Sequence, residues 1–250
     1  MEQLRFYAKK YPRSVIVKNN ENHGLIYSLN RGLDMARGKY VARMDDDDKS
    51  LPWRLERQVW AMERHLEITV LGGGILWDEA QVITPAGVPL INNPDEIEIN
   101  TYFSSGLAHP TIMIRRYFLE KNKIRYDIKY TYAEDCGLYK DVLAKGGKVS
   151  SLRENVLHFG YVSGLARPKK YAYIQSESFK KIQKEKLAPF FDVPKEWLGA
   201  FTDDEIRCGI LKKMVPANKK KKILNQEALE KKMQTVCRPS DEVKDAIKIK

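Results

Sequence analysis

Gly38-Lys39-Tyr40-Val41-Ala42-Arg43-Met44-Asp45-Asp46-Asp47-Asp48 is the stretch whose reading decides the fold. Gly38 stops a helical pattern, as a glycine after the last turn does. Tyr40 to Met44 then reads as a strand, and four carboxylates follow it directly. Ser50-Leu51-Pro52 restarts the chain, and a helix is expected from Trp53 to about His65, with Leu55, Val59 and Met62 inward. A strand that runs into an acidic turn and then a helix is an α/β arrangement, and in such sheets ligands collect at the carboxyl ends of strands. Packed this closely, the carboxylates repel one another. One reading is a divalent cation held with a phosphate, since Mg²⁺ takes one or two carboxylates plus substrate phosphates. The other is a solvated turn in which one aspartate caps the next helix.

Outward from this stretch the alternation continues. Ser14-Val15-Ile16-Val17 reads as a short buried strand. Asn22-His23-Gly24 is a turn signal, and Ile26, Leu29, Leu33 and Ala36 then share one helical face. Downstream, Ile68–Leu71 is strand-like and closed by Gly72-Gly73-Gly74. No Gly-Lys-Ser/Thr follows, so these glycines mark a turn or bulge and not a phosphate loop. Ile75–Trp77 and Gln81–Ile83 are further short strand candidates. Pro85, Gly87, Pro89 and Pro94 mark loops. Thr111–Ile114 is an apolar strand, Arg116–Lys121 a short helix, and Ala133-Glu134-Asp135 opens a helix that carries Leu138, Val142 and Leu143. Strands at Lys148–Leu152 and Asn155–Phe159 finish this part.

Hydrophobic residues make up 43% of the 250 and charged residues 31%, a balance of a folded chain and not of a disordered one. No apolar run approaches the roughly 18–20 residues that span a bilayer. Met1–Arg13 is basic and polar, without the apolar segment of a secretory signal. Cys136, Cys208 and Cys237 are far apart and odd in number, so the sequence offers no disulfide framework and fits a reducing cytosol. The net charge of +11 falls mostly on residues 169–250, which hold 20 Lys/Arg against 12 Asp/Glu. From Pro168 onward the pattern is helical, with segments at 171–186, 203–214 and about 219–236 broken by Pro189, Pro194 and Pro216. Phe190, Phe191, Trp197 and Phe201 supply apolar docking surface. Such a basic extension is either a solvated lysine-rich face or a contact for an anionic surface.

Glu134-Asp135 is also open to two readings. Acidic residues in a helix's first turn complement its dipole, each by roughly 0.3–1 kcal/mol. The pair could equally supply a general base for an acceptor hydroxyl. His109 and His158 are isolated, and each is a metal ligand or a hydrogen-bonded structural histidine. Cys136 at a helix start invites a lowered thiol pKa, with no base partner evident in the sequence.

Together the blocks are more specific. Asn22-His23-Gly24 through Leu29-Asn30-Arg31-Gly32, then Ala36 to Asp48, then Leu51-Pro52-Trp53-Arg54-Leu55-Glu56-Arg57-Gln58, resemble family 2 glycosyltransferases of the GT-A fold. His109-Pro110-Thr111-Ile112-Met113 and Ala133-Glu134-Asp135-Cys136-Gly137-Leu138 are similar to that family's later blocks, in the same order. The resemblance covers about residues 14–165. It implies an α/β, Rossmann-like mixed sheet flanked by helices over residues 1–167, followed by a helical basic extension over 168–250.

The resemblance also implies a hexosyltransferase-like enzyme. It would move a sugar from a nucleotide-sugar to an acceptor hydroxyl, usually with inversion, in surface polysaccharide or glycolipid synthesis. Asp45 and Asp47 match the family's Asp-x-Asp positions. Asp47 would contact Mn²⁺ or Mg²⁺, and Asp45 the ribose or a metal-bound water. Asp135 matches the base position, with Glu134 as the second choice. Asn30 and Arg31 match a donor-side segment, and His109 an acceptor-side block. A UDP-sugar is the favoured donor, and a saccharide or lipid-linked acceptor the partner. The expected location is cytoplasmic, peripheral at the inner face of a membrane.

The family ordinarily begins with a strand-helix-strand block that binds the nucleoside base. This chain is expected to join the pattern after it, Met1–Arg13 matching the helix that follows. The family's Arg-x-His feature is missing at Phe159-Gly160-Tyr161, and His158 is out of register with it. A remnant without activity, or one dependent on a partner protein for the missing strands, is therefore the alternative expectation. Membrane or nucleic-acid binding through the basic extension is a further one, although no specific nucleic-acid motif supports it.

Overall fold

The computed structural model describes residues 2–76, 90–158, 169–187, 191, 195–198 and 204–237. The expected strand Gln81–Ile83, Trp77, Phe159–Tyr161, the 167/168 boundary, Phe190 and Phe201 lie outside these residues.

Five strands form one mixed sheet. They are β1 (Tyr40–Ala42), β2 (Lys49–Ser50), β3 (Ile68–Leu76), β4 (Met113–Arg115) and β5 (Lys148–His158), in the order β1-β4-β3-β5-β2. Only the central pair β3–β5 is parallel; the other neighbours are antiparallel. Helices cover both faces. On one face α2 (Leu25–Met35), α5 (Arg116–Lys121) and α6 (Glu134–Ala144) bury Ile26, Leu33, Leu119, Leu138 and Val142 against Val70 and Ile114. On the other, α3 (Arg54–Arg64) sets Ala61 and Met62 against Ile68, Leu71 and Val156. The expected inward face of α2 is therefore the observed one. The α/β sheet flanked by helices is observed as well.

Several details differ from expectation. Ser14–Val17 forms no strand. Val15 is 74% exposed, and no described strand pairs with this segment. β-branched residues favour a strand only where a neighbour supplies the ladder and the packing. A short helix, α1 (Glu2–Lys10), precedes it.

The three glycines do not close β3, which runs on to Leu76. They sit where its register against β5 shifts, between Gly72, Gly74 and Ile75. A Cβ on Gly73 would lie 2.5 Å from Val156 Cγ2, so the missing side chain is what lets the two strands approach. The two expected strands at 148–159 are the single β5, because this bulged pairing continues through both.

Pro94 starts a helix, α4 (Pro94–Asn100), where a loop was expected. Asn93 caps it by accepting from the Asp95 backbone N–H, and Asp95 and Glu96 fill its first turn. Pro at the first helical position costs no hydrogen bond.

The C-terminal region holds α7 (Lys169–Leu187), α8 (Asp204–Lys221) and α9 (Gln226–Val236). Pro216 does not end α8, which continues through it. Asn218 then turns the chain by accepting from the backbone of Ile223 and Leu224. Cys208 and Cys237 are joined in a disulfide between α8 and the end of α9. This corrects the reading of the cysteines: 29 residues apart in sequence, they meet because α8 and α9 pack antiparallel over Leu211, Met214 and Leu229. The same cluster takes in Ile99, Tyr102 and Phe103, so these helices dock on the main body through α4. Among the described residues, no helix is long and apolar enough to cross a membrane.

Candidate active site

The site lies where β1 ends, close to the start of β4 and the N-terminus of α6. Arg43 is the first residue beyond β1. Its backbone N–H donates to the Ile112 carbonyl at 3.0 Å, which fixes its position against the β4 end. Its guanidinium grips Asp45 with two hydrogen bonds, one of them 2.7 Å from Nη1 to Oδ2. Bidentate pairs of this kind fix orientation as well as charge. Asp46 and Asp47 form the exposed tip of the turn, and neither is held in an ion pair among the described residues. Asp48 turns inward and is buried.

Beneath the turn, α3 contributes a buried polar brace. Arg54 Nη2 donates to the Arg43 carbonyl at 2.6 Å, and Arg54 Nε donates to Gln58 Oε1 at 3.2 Å. Gln58 Nε2 donates to the carbonyls of Leu71 and Thr111. One helix face thus pins the end of β1, the interior of β3 and the His109–Thr111 turn. Burial pulls the Arg54 pKa down to about 10 against the opposing pull of Asp48, and Arg43 adds to the lowering. Here the expected inner face of α3 is observed in part: Met62 is buried and Val59 packs against the same cluster, but Leu55 does not turn inward. Leu55 is 55% exposed, while Arg54 and Gln58 are buried. Apolar spacing misjudged the phase because the strand-end carbonyls need donors. The (i, i+4) pair Arg54 and Gln58, in phase with Ala61 and Met62, was the available signal.

His109 begins a short 3-10 turn (His109–Thr111) that leads into β4. Its Nε2 lies 3.0 Å from the Tyr126 hydroxyl. Burial, helped by the Arg43 charge, lowers its pKa to about 3, so the ring is neutral near pH 7. Tyr126 is buried, and its phenol is pushed up, chiefly by burial. Asp135 stands in the first turn of α6, where its Oδ1 accepts from the Cys136 N–H at 2.8 Å. Burial raises its carboxyl above the usual range, and the Cys136 amide and the Arg43 charge pull it back. The Arg43 charge thus acts on His109, Tyr126 and Asp135 alike. Arg43 was absent from the expected site residues although it adjoins the acidic run.

Glu134 is buried beside Asp135. The Cys136 thiol is also buried, and burial followed by the Asp135 charge raises its pKa, the reverse of the lowering its helix position suggested. Asn30 and Arg31 are engaged elsewhere. Asn30 pairs through both amide groups with the Tyr126 backbone, at 2.8 and 2.9 Å. Arg31 donates to the Lys18 carbonyl and to Asn19. Both hold α2 in place against neighbouring segments. Asn30 thereby seats the segment that carries the Tyr126 phenol. Among the described residues, no three His, Cys, Asp or Glu side chains converge as a ready-made metal cage.

The candidate site thus combines a strand-end carboxylate turn, the half-buried Asp135 carboxylate at a helix start and one arginine paired with the turn. The glycosyl transferase family 2 model matches residues 2–143. The chain belongs to this family.

Its relatives include an uncharacterized glycosyltransferase of Methanocaldococcus jannaschii, 30% identical over 179 residues, covering 69% of this chain and 61% of that protein. The amylovoran biosynthesis glycosyltransferase AmsE of Erwinia amylovora is 30% identical over 168 residues, 65% of this chain and 60% of AmsE. The chain therefore spans about three fifths of the length of these relatives. Among solved structures, S. aureus TarS in complex with UDP-GlcNAc superposes with a TM-score of 0.52 at 18% identity, over 84% of this chain and 59% of that one. This likeness is one of fold, and the GT-A-like sheet of the family 2 enzymes is the fold observed here.

Proposed function

We propose that the chain transfers a sugar from a nucleotide-sugar to an acceptor hydroxyl, with Asp135 as general base and the Asp45–Asp47 turn on the donor's diphosphate side. The observation that carries this reading is Arg43. It is paired with Asp45, and its charge also bears on Asp135 and His109.

Asp135 accepts the proton of the acceptor hydroxyl. The acceptor oxygen forms its bond to the anomeric carbon as the bond from that carbon to the diphosphate oxygen breaks. Attack opposite to the leaving group inverts the anomeric centre. A carboxyl held above its usual pKa is, when ionised, a stronger base than a solvated one. Glu134, buried beside it, is the second choice. The neutral His109 hydrogen-bonds Tyr126 and shapes the acceptor side without adding charge.

Asp47 and Asp45 are hard oxygen donors on one turn, with Asp47 exposed at its tip. That set fits a Mg²⁺ or Mn²⁺ ion completed by phosphate oxygens. When bound, such an ion neutralises charge developing on the departing diphosphate. Asp45, already oriented by Arg43, faces the ribose or a metal-bound water.

UDP-sugars come first among donors because TarS is seen with UDP-GlcNAc. A saccharide or lipid-linked acceptor in polysaccharide synthesis follows from AmsE and its like. The exposed Lys219–Lys222 run at the end of α8 favours peripheral attachment to an anionic inner membrane face.

The test is a transfer assay with UDP-, GDP- and dTDP-sugars. Asp135→Asn is expected to lower kcat by at least about 100-fold, consistent with the usual weight of general base catalysis. Asp47→Ala is expected to abolish Mn²⁺-dependent binding of the nucleoside diphosphate in calorimetry. Unchanged turnover in the first variant, or unchanged binding in the second, refutes the corresponding assignment.

A further inference from the structure

The segment that leads into Asp135 is held from outside by α7. Tyr132 has φ 65, in the left-handed region that a bulky side chain rarely adopts. The carbonyls on both sides of this kink are each bound by an α7 side chain. Ser178 Oγ, itself buried, donates to the Thr131 carbonyl at 2.8 Å, and Gln175 Nε2 donates to the Tyr132 carbonyl at 2.9 Å. The Tyr132 ring also packs on Tyr171 of α7, with centroids 4.8 Å apart.

Two residues on either side of the kink are tied to α7 as well. The Tyr130 hydroxyl donates to Glu185, and Lys140 of α6 bridges the two, at 2.6 Å to Glu185 Oε2 and 2.7 Å to the phenol. Tyr130, Ala133 and Cys136 share one buried cluster with Phe179 and Ile182. Asp135 thus lies between two residues, Ala133 and Cys136, that are packed on α7.

We propose that Ser178 and Gln175 are positioning residues for Asp135, keeping the Thr131–Tyr132 turn in its left-handed form so that the carboxylate meets the acceptor hydroxyl. Residues held in sparsely populated backbone conformations stay there only when their surroundings over-determine them. Without the two donors, Tyr132 relaxes toward negative φ and α6 starts from a shifted position. A displacement of about 1 Å in a reacting group is enough to cost on the order of 100-fold in rate. This inference rests on Asp135 being the base.

The experiment compares the full chain with Ser178→Ala/Gln175→Ala in sugar transfer. Expected is a kcat lower by about 10–100-fold with the donor KM changed by less than about 3-fold, since orientation and not donor binding is lost. Adding Tyr132→Gly, which takes φ 65 without strain, is expected to restore at least part of kcat. Lys184→Ala, on the exposed side of α7, is the control that keeps wild-type rates. Hydrogen exchange of the 131–136 amides is followed in the same proteins and is expected to quicken in the double variant alone.

Wild-type kcat in the double variant beside an inactive Asp135→Asn overturns the positioning role and leaves the base assignment standing. A loss that Tyr132→Gly does not relieve reduces α7 to a purely structural support and also overturns it. If Asp135→Asn is itself fully active, the base assignment falls. The exchange data then decide whether α7 clamps the turn, and unchanged exchange overturns that too.

Discussion

Burial sets the local electrostatics, and Arg43 modulates them. The Arg43 cation favours the ionised form of Asp135, which burial disfavours. Arg43→Ala therefore raises the Asp135 pKa further. Because the base must be ionised to act, the acid limb of the kcat/KM pH profile is expected to move to higher pH, as a pH series in the transfer assay will read.

Asp135 also carries a stability signature. Its folded-state pKa lies above the unfolded one, so between the two values the native state binds more protons. Stability is then full below the unfolded value and falls as pH rises through that window. At pH 7 the buried charge is a net cost. Asp135→Asn is expected to raise Tm at pH 7, by about 2–4 °C for each kcal/mol recovered, and to leave Tm unchanged near pH 3. Thermal melts at the two pH values check the sign. A gain in stability with a loss of turnover is the usual mark of a functional buried charge.

Among the elements, β3 and β5 show how the sheet is built around missing side chains. β3 is largely buried and β5 in part, and they pair through the glycine-rich bulge. Gly73→Ala forces its Cβ into Val156, and overpacking of this kind costs about 1–3 kcal/mol. Adding Val156→Ala removes the clash, so the double variant is expected to lose less than the sum of the two single changes. Urea midpoints of the four proteins measure this coupling.

Gly137 plays the same part in α6. A side chain there would strike the Tyr130 ring. In each case a glycine marks a close approach, and the sequence showed the residue without showing what approaches it. The apolar spacing of α2 and α6 was legible because their inner faces meet only apolar neighbours. In α3 the inner face meets strand-end carbonyls, and there the polar residues Arg54 and Gln58 win burial.

At the scale of the molecule, the C-terminal helices are fastened at two places. Through α4 they extend the apolar core, and through α7 they reach the turn before Asp135. The disulfide Cys208–Cys237 closes a loop across α8 and α9. Closing a loop of this length limits the unfolded chain and is worth about 2–4 kcal/mol. Cys237→Ser is expected to lower the unfolding free energy from denaturant titration by that amount under oxidising conditions, seen as a lower midpoint. Added reductant should bring the wild-type protein to the same midpoint.

The order of elements from Leu25 to Val156 was largely legible in the sequence, because periodic apolar residues, glycine stops and helix-start acids are local signals. So was the acidic turn at Asp45–Asp48, and so was the pairing of Glu134-Asp135 with a helix start. Long-range encounters were not legible. Val15–Val17 has strand-forming residues and no strand beside it. Pro216 has a helix breaker's ring and a helix that continues. Cys208 and Cys237 show no framework spacing and meet through helix packing. Arg43 became part of the site only when β1, the His109–Thr111 turn and α6 converged on it. The sequence by itself determined where most helices and strands form between Leu25 and Val156 and which side chains can carry charge. The tertiary structure decided which of those charges share a buried space, because burial and proximity, and not residue type, set how strongly one group acts on another.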